Sequence, residues 1–374
     1  MDSIAHLMIL FFWLFGFVFL WRIPNPGKSD FRVEPSSAVS IIIPARNEAT
    51  QIGRLLRSLK DQTVNPLEII LVDDHSEDAT TAVARAESLE VLLSESLPEG
   101  WAGKPWACWQ GAKRAAGDIL VFLDADTTLE PHGLAHILRA YRHKGGLVSV
   151  HPFHRMEKVY ERLSAFFNIV ALAGMQAFTI LGDRLRPLGA FGPCIACSRA
   201  DYFAMEGHSH ETVRGKILES LDLGKVFSKA GLPVHCYGGK GAVSFRMYPD
   251  GLSSLIEGFG KGFGTGAAAM SLSSLILMVC WVTGCFSVTR HLFQSFVVGD
   301  MTALTWFSVF YGLYVAQIHW MLRRMGNFGF LTALLFPIPL TFFGLVFALS
   351  LVRTFIVKKV YWKGRTLNAT NKRA

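Results

Sequence analysis

Ile119-Leu120-Val121-Phe122-Leu123-Asp124-Ala125-Asp126 decides the fold: five apolar residues without a polar break, then two carboxylates one residue apart. A short, continuous apolar run bounded by turn signals reads as a strand buried on both faces, as in a parallel sheet covered by helices. Carboxylates at the carboxyl end of such a strand stand where open α/β sheets gather their ligands. The Asp-x-Asp spacing suits a hard divalent ion, Mg2+ or Mn2+, which takes one or two carboxylates and leaves positions open for diphosphate oxygens. A solvated acidic loop is the plain alternative, and the apolar strand feeding it argues against that.

The pattern recurs upstream. Val72-Asp73-Asp74-His75-Ser76 closes a second apolar run, and Ile43-Pro44-Ala45-Arg46-Asn47-Glu48 closes a third. Strands over 39–44, 67–72, 90–93 and 119–123 alternate with helices near 49–61, 78–87 and 105–116. Such units predict an α/β fold with a right-handed, mostly parallel, Rossmann-like sheet. Ligands should meet residues 44–48, 73–74 and 124–126.

Composition adds a second compartment. A chain that is 51% hydrophobic is too apolar for an ordinary soluble enzyme, and 18% charged residues are too many for a pure membrane bundle. Residues 4–21 are almost wholly apolar and are followed by Arg22, Lys28 and Arg32, which predicts an uncleaved anchor with the next segment in the cytoplasm. A cleaved signal would want a basic start and a small-residue cleavage site, and neither is present. Three more apolar stretches, 271–289, 301–322 and 328–352, follow a glycine-rich run. The last contains Pro337 and Pro339 and is expected to be re-entrant or in-plane, leaving Arg323, Arg324 and the tail cytoplasmic. The expected organisation is a 1–22 anchor, a 38–250 α/β domain, a 251–270 interfacial glycine-rich segment, a 271–352 membrane region and a 353–374 basic cytoplasmic tail.

Residues 163–182 carry no charge and would pass for a span, yet crossing would put Glu219 and Asp126 on opposite sides. They are expected to lie in the interface or to roof the site. The glycines of 251–270 lack the Lys-Ser/Thr of a phosphate loop, so a hinge or close packing is expected there. Of the net +8, seven charges sit from residue 353 onward without an acid, which argues against a nucleic-acid surface and for anionic lipid. Six scattered cysteines make no disulfide framework. Cys194 and Cys197 with His208 and His210 have the ligand types of a zinc site, but the two cysteines lie in a strand-like run.

Taken together, residues 43–48, 72–76 and 123–126 with Gly103-Lys104 stand in an order that resembles glycosyltransferase family 2, the inverting enzymes of GT-A fold. The resemblance runs from about residue 39 to 251. Later segments, Ile217-Leu-Glu-Ser-Leu-Asp-Leu-Gly224, Phe245-Arg-Met-Tyr248 and Trp362-Lys-Gly-Arg365, resemble more closely its membrane members that glucosylate carotenoid acids of the staphyloxanthin type. That resemblance implies a nucleotide-sugar donor, UDP-glucose, a lipid acceptor and a metal ion; it names no protein partner.

The residues carry the same chemistry by themselves. Pro44, Glu48, Asp73 and Asp74 stand where the family holds the uridine and ribose, although Asp73 and Asp78 are equally at home as turn and cap residues. Asp124 faces ribose or metal, Asp126 the metal, and Lys104 offers the phosphates a point charge. The family's Glu-Asp pair for the base is altered, since Ser220 follows Glu219. Glu219, Asp222 one turn on, or neither then serves as base. A carboxylic acid acceptor, with a pKa of about 4–5, is already ionised and needs little help. Arg246 would pair with that carboxylate, with the diphosphate or in a structural salt bridge, and His208 and Tyr248 would line an acceptor channel or simply pack. The same features would serve a hopanoid, sphingolipid, diacylglycerol or polyprenyl phosphate, and a scaffold that kept the fold without catalysis is the reading of another class.

Overall fold

The computed structural model describes residues 2–28, 38–87, 89–216, 218–268, 270–352, 359–362 and 365–368. The chain divides into two compact units. One comprises Pro24–His154 and Arg186–Met247; the other comprises Met1–Ile23, Arg155–Leu185 and Tyr248–Ala374. The α/β domain expected over 38–250 is thus interrupted, because residues 155–185 join the helical unit.

The α/β unit is built on β1 (Val39–Ala45), β2 (Glu68–Asp73), β3 (Val91–Leu93), β4 (Ile119–Leu123), β5 (Thr127–Leu129), β6 (Leu147–His151), β7 (Phe153–His154), β8 (Cys194–Ser198), β9 (Val234–Gly238) and β10 (Val243–Phe245). Seven of them form one sheet in the order β3-β2-β1-β4-β8-β6-β9. Alternation of side chains sends Ile41, Ile43, Val121, Leu123 and Val148 to one core, with helices Ile52–Lys60 and Gly133–Lys144. It sends Ile42, Val72, Leu120, Phe122 and Ile195 to the other, with helices Gly103–Arg114 and Glu219–Lys229. Both faces are therefore dry, as the apolar runs require.

The pairings of β1 with β2 and β4 are parallel, as expected, but β8 runs antiparallel between β4 and β6. Leu123 pairs with Cys194, so the loop feeding β8 lies over the carboxyl end of β4, and Pro193 accepts the Asp124 N–H at 2.9 Å. A smaller sheet, β5-β10-β7, hangs from the same end. Its antiparallel register pairs Phe245 with Thr127, which carries the next residues, Arg246 and Asp126, to one end of that sheet.

The helical unit holds the two helices long and apolar enough to cross a membrane, Leu272–Val298 and Met301–Met325. The N-terminal helix Asp2–Phe19 packs on both. Buried polar groups set the register: Gln317 accepts from Trp281 Nε1 at 2.8 Å and donates to Trp13 O at 2.8 Å, while Tyr314 donates to Ile9 O at 3.0 Å. Gly16 leaves the room Gln317 fills, since a Cβ there would come within 2.4 Å of its amide. Arg324 donates to the carbonyls of Leu20 and Trp21, capping the segment after the first helix.

Two expectations are narrowed here. The uncharged run 163–182, expected not to cross and to lie in the interface or roof the site, forms an α-helix only over Ala165–Gly174, too short to span, and packs among the helices of its own unit. The glycine-rich run forms a continuous helix, Leu252–Ala268, and close packing is the role seen at Gly258, whose absent Cβ makes room for the Tyr248 ring. The final apolar stretch breaks into Phe330–Leu334 and Pro337–Leu351, the second starting on a proline. Arg32 and most of the basic tail lie outside the described residues; within the tail, Lys359–Trp362 and Arg365–Asn368 pair as an antiparallel hairpin.

Gln317→Ala strands the indole of Trp281 and a carbonyl of the first helix, so thermal unfolding in detergent should show a loss of about 1–2 kcal/mol. An unchanged midpoint would mean that the polar pins carry none of the helix packing.

Candidate active site

The carboxyl ends of β1 and β2 are stitched into one wall. Asn47 N–H donates to Ser76 Oγ at 3.0 Å, Glu77 N–H to Asn47 Oδ1 at 2.8 Å, Glu48 N–H to Thr80 Oγ1 at 2.8 Å and Ala49 N–H to Asp78 Oδ2 at 3.0 Å. Asn47 and His75 make the bends with φ of 53° and 55°, a region polar Asn and His tolerate better than branched residues. Asp73 is engaged by the N–H and hydroxyl of Ser76, and Asp78 caps Thr80. Both therefore do turn work. Pro44, opposite Val72, is the last residue but one of β1, and Glu48 and the buried Asp74 stand on the wall this stitching makes.

Asp124 and Asp126 sit on a tight turn, with Asp124 O accepting from Thr127 N–H at 3.1 Å and from its hydroxyl at 2.7 Å. Across the small sheet, the carbonyl of Arg246 accepts from Gln51 Nε2 at 3.1 Å. Arg246 is thereby held on the same side as Glu48 and Asp126.

Three elements then converge. Lys104 opens one helix, Glu219 opens another and Asp124 ends β4; the Lys104 ammonium lies 2.6 Å from Asp124 Oδ1 and 2.9 Å from Glu219 Oε1. Ser220 donates to the same Glu219 oxygen at 2.9 Å. Burial would raise the Glu219 carboxyl, but Lys104, its hydrogen bond, His208 and Ser220 together hold it below its ordinary value. Burial would likewise lower Lys104, and the two carboxylates outweigh it and hold the ammonium well above its usual range. His208 is pushed down to about 4 by burial, against the pull of Glu219, and its ring is locked by Tyr202 at 2.9 Å. It is a packed, neutral group, as is usual for a histidine in a core.

Backbone contacts fix this convergence. A Cβ on Gly224 would meet Ala190 N at 2.5 Å, and one on Gly192 would meet Ser220 Oγ at 2.8 Å. The loop before β8 and the start of the Glu219 helix are thus in direct contact. Asp222 is taken by Lys225 at 2.8 Å, which leaves Glu219 as the carboxylate of that helix paired with Lys104. Gln51 and Gly192 were not marked by any sequence signal, because their roles come from pairings across the chain. Tyr248 belongs to the helical unit, where its ring meets Phe259.

The strand reading of the two cysteines holds against the zinc alternative. On a strand, positions three apart face opposite sides, and Cys194 and Cys197 indeed belong to the two different cores. Among the described residues no cluster of three or more His, Cys, Asp or Glu could hold a metal.

A doubly covered, mostly parallel sheet with carboxylates at its strand ends, and a lysine joining one of them to a glutamate at a helix start, is the arrangement of a glycosyltransferase of the GT-A type. The model of "Glycosyl transferase family 2" matches residues 40–199. The chain is 35% identical over 337 residues to 4,4'-diaponeurosporenoate glycosyltransferase of Staphylococcus haemolyticus, covering 89% of each chain, and 35% identical over 332 residues to that of Staphylococcus aureus (strain MRSA252), covering 88% of each. The fold is shared with a mannosyltransferase from Pyrobaculum calidifontis solved with GDP-Man and Mn2+, at a TM-score of 0.50 and 16% identity over 92% of this chain and 96% of that one. The chain belongs to glycosyltransferase family 2.

Gly192→Ala should crowd Ser220 and misplace Glu219, lowering kcat roughly tenfold or more while the unfolding midpoint stays near that of the wild type. Wild-type kcat in this variant would show that the loop has no part in placing Glu219.

Proposed function

We propose that the chain is an inverting, metal-dependent glucosyltransferase that moves glucose from UDP-glucose to the carboxylate of a membrane-dissolved C30 carotenoid acid, forming a glycosyl ester. The observation that carries this is the state of Glu219, tied to Lys104 and Ser220 and held ionised. A carboxylate so stabilised is a weak base, poorly matched to deprotonating an alcohol. An acid acceptor arrives already ionised. The names of the relatives point to the same acceptor.

In the proposed reaction an acceptor carboxylate oxygen attacks the anomeric carbon from the face opposite the diphosphate. The C–O bond to the new ester forms as the bond to the β-phosphate oxygen breaks, and UDP leaves with the electron pair. A metal ion held by Asp124 and Asp126 would neutralise the leaving diphosphate. Glu48 and Asp74 accept from the uridine and ribose, Asp73 supports their turn, and Arg246, placed on the side of Asp126, pairs with the diphosphate in preference to the acceptor. Glu219 and Lys104 set the field beside the attacking carboxylate. The two apolar helices and the aromatic-rich helical unit fit a multi-pass protein of the cell membrane, with the α/β unit on the cytoplasmic side where UDP-sugars and anionic headgroups are found.

The purified protein in detergent, given UDP-glucose, Mn2+ and a C30 carotenoid acid, should release UDP and yield a glucosyl product cleaved by mild alkali, as an ester is. Asp126→Ala should lower turnover by about 10²-fold or more. UDP release that is indifferent to metal, or an alkali-stable product, would sink this assignment. Ser220→Asp puts a second negative charge beside Glu219, so kcat/KM on the acid should fall roughly tenfold and not rise.

A further inference from the structure

The Lys104 ammonium touches Asp124, on the donor side, and Glu219, on the acceptor side, at 2.6 and 2.9 Å. A carboxylate engaged at that distance presents a positive charge where a divalent ion must also approach, and two cations cannot share contact with it without strong repulsion. Metal and lysine therefore compete for Asp124. Glu219 provides the ammonium with a second seat, and a lysine stem is flexible enough to favour one partner over the other. There is also room: the Lys104 side chain keeps 36% of its surface exposed.

We propose that Lys104 is an internal counter-ion for the metal position, neutralising Asp124 in the unloaded enzyme and withdrawing onto Glu219 when the metal-bound donor arrives. Donor loading and the pairing of Glu219 are then one coupled event. The inference rests on Asp124 and Asp126 being the metal and donor carboxylates, as proposed above.

Mn2+ alone, titrated into the full-length protein in detergent and read by electron paramagnetic resonance of the free ion, tests it. Lys104→Met should bind Mn2+ on the order of tenfold more tightly than wild type, the equivalent of one lost charge-assisted hydrogen bond. Lys104→Arg should stay near wild type. Glu219→Gln should bind Mn2+ more weakly, because the ammonium loses its alternative partner; this variant and Lys104→Arg carry the test if Lys104→Met does not fold. A crystal structure with Mn2+ and UDP should show Nζ on Glu219 and out of hydrogen-bond reach of Asp124. Unchanged or weaker Mn2+ binding in Lys104→Met, unchanged or tighter binding in Glu219→Gln, or a lysine still on Asp124 in that complex, overturns the exchange while leaving the metal site intact. If wild type with UDP binds no Mn2+ and Asp126→Ala alters nothing, the metal assignment fails and the exchange with it.

Discussion

The α/β unit is organised around one ammonium placed between two carboxylates. Glu219 is buried at the start of a helix, where a lone charge would be costly, and Lys104 with Ser220 and the helix N-terminus make it tolerable. Because Lys104 also holds Asp124, the end of β4, the start of one helix and the start of another cannot shift independently. Glycines at 192 and 224 let the loop before β8 close on the Glu219 helix.

The antiparallel strand β8 is what makes such a constraint possible. A purely parallel sheet would bring each strand end its own crossover helix, and nothing would lie over Asp124. Inserting β8 between β4 and β6 lays the 190–193 loop across that end and ties it by the hydrogen bond from Asp124 to Pro193. The smaller sheet does the corresponding work for Arg246, whose distance along the chain from Asp126 is erased by the pairing of β10 with β5. In the helical unit, single polar side chains such as Gln317 set register, which fits apolar surroundings where backbone and indole groups must find partners internally.

Much of this was legible beforehand. The strands at 39–45, 68–73 and 119–123 were found within a residue or two, because a buried strand is a run of apolar side chains and needs no context to be recognised. Asp124, Asp126 and Glu48 stand out in the sequence because a carboxylate at a strand end has few structural reasons to be there, and what the structure adds is the pairing of Asp124 with Lys104. Asp73 and Asp78 look the same in sequence and turned out to hold turns, a distinction that rests on where the Ser76 and Thr80 hydroxyls lie. The run 163–182 does not cross, as the position of Glu219 required, but its place could not be read from composition, because an uncharged run is shared by a helix at an interface and a helix buried inside a bundle.

The amino-acid order alone determined the α/β class, the apolar helices and which acids stand at strand ends, since these follow from local periodicity and polarity. The tertiary structure decided that Lys104 faces Glu219 as well as Asp124, that Asp222 is taken by Lys225, that Arg246 comes to the side of Asp126, and that the two cysteines face opposite cores. Each of these depends on a partner brought in from another element by sheet register or helix packing, and periodicity within one segment carries no information about that partner.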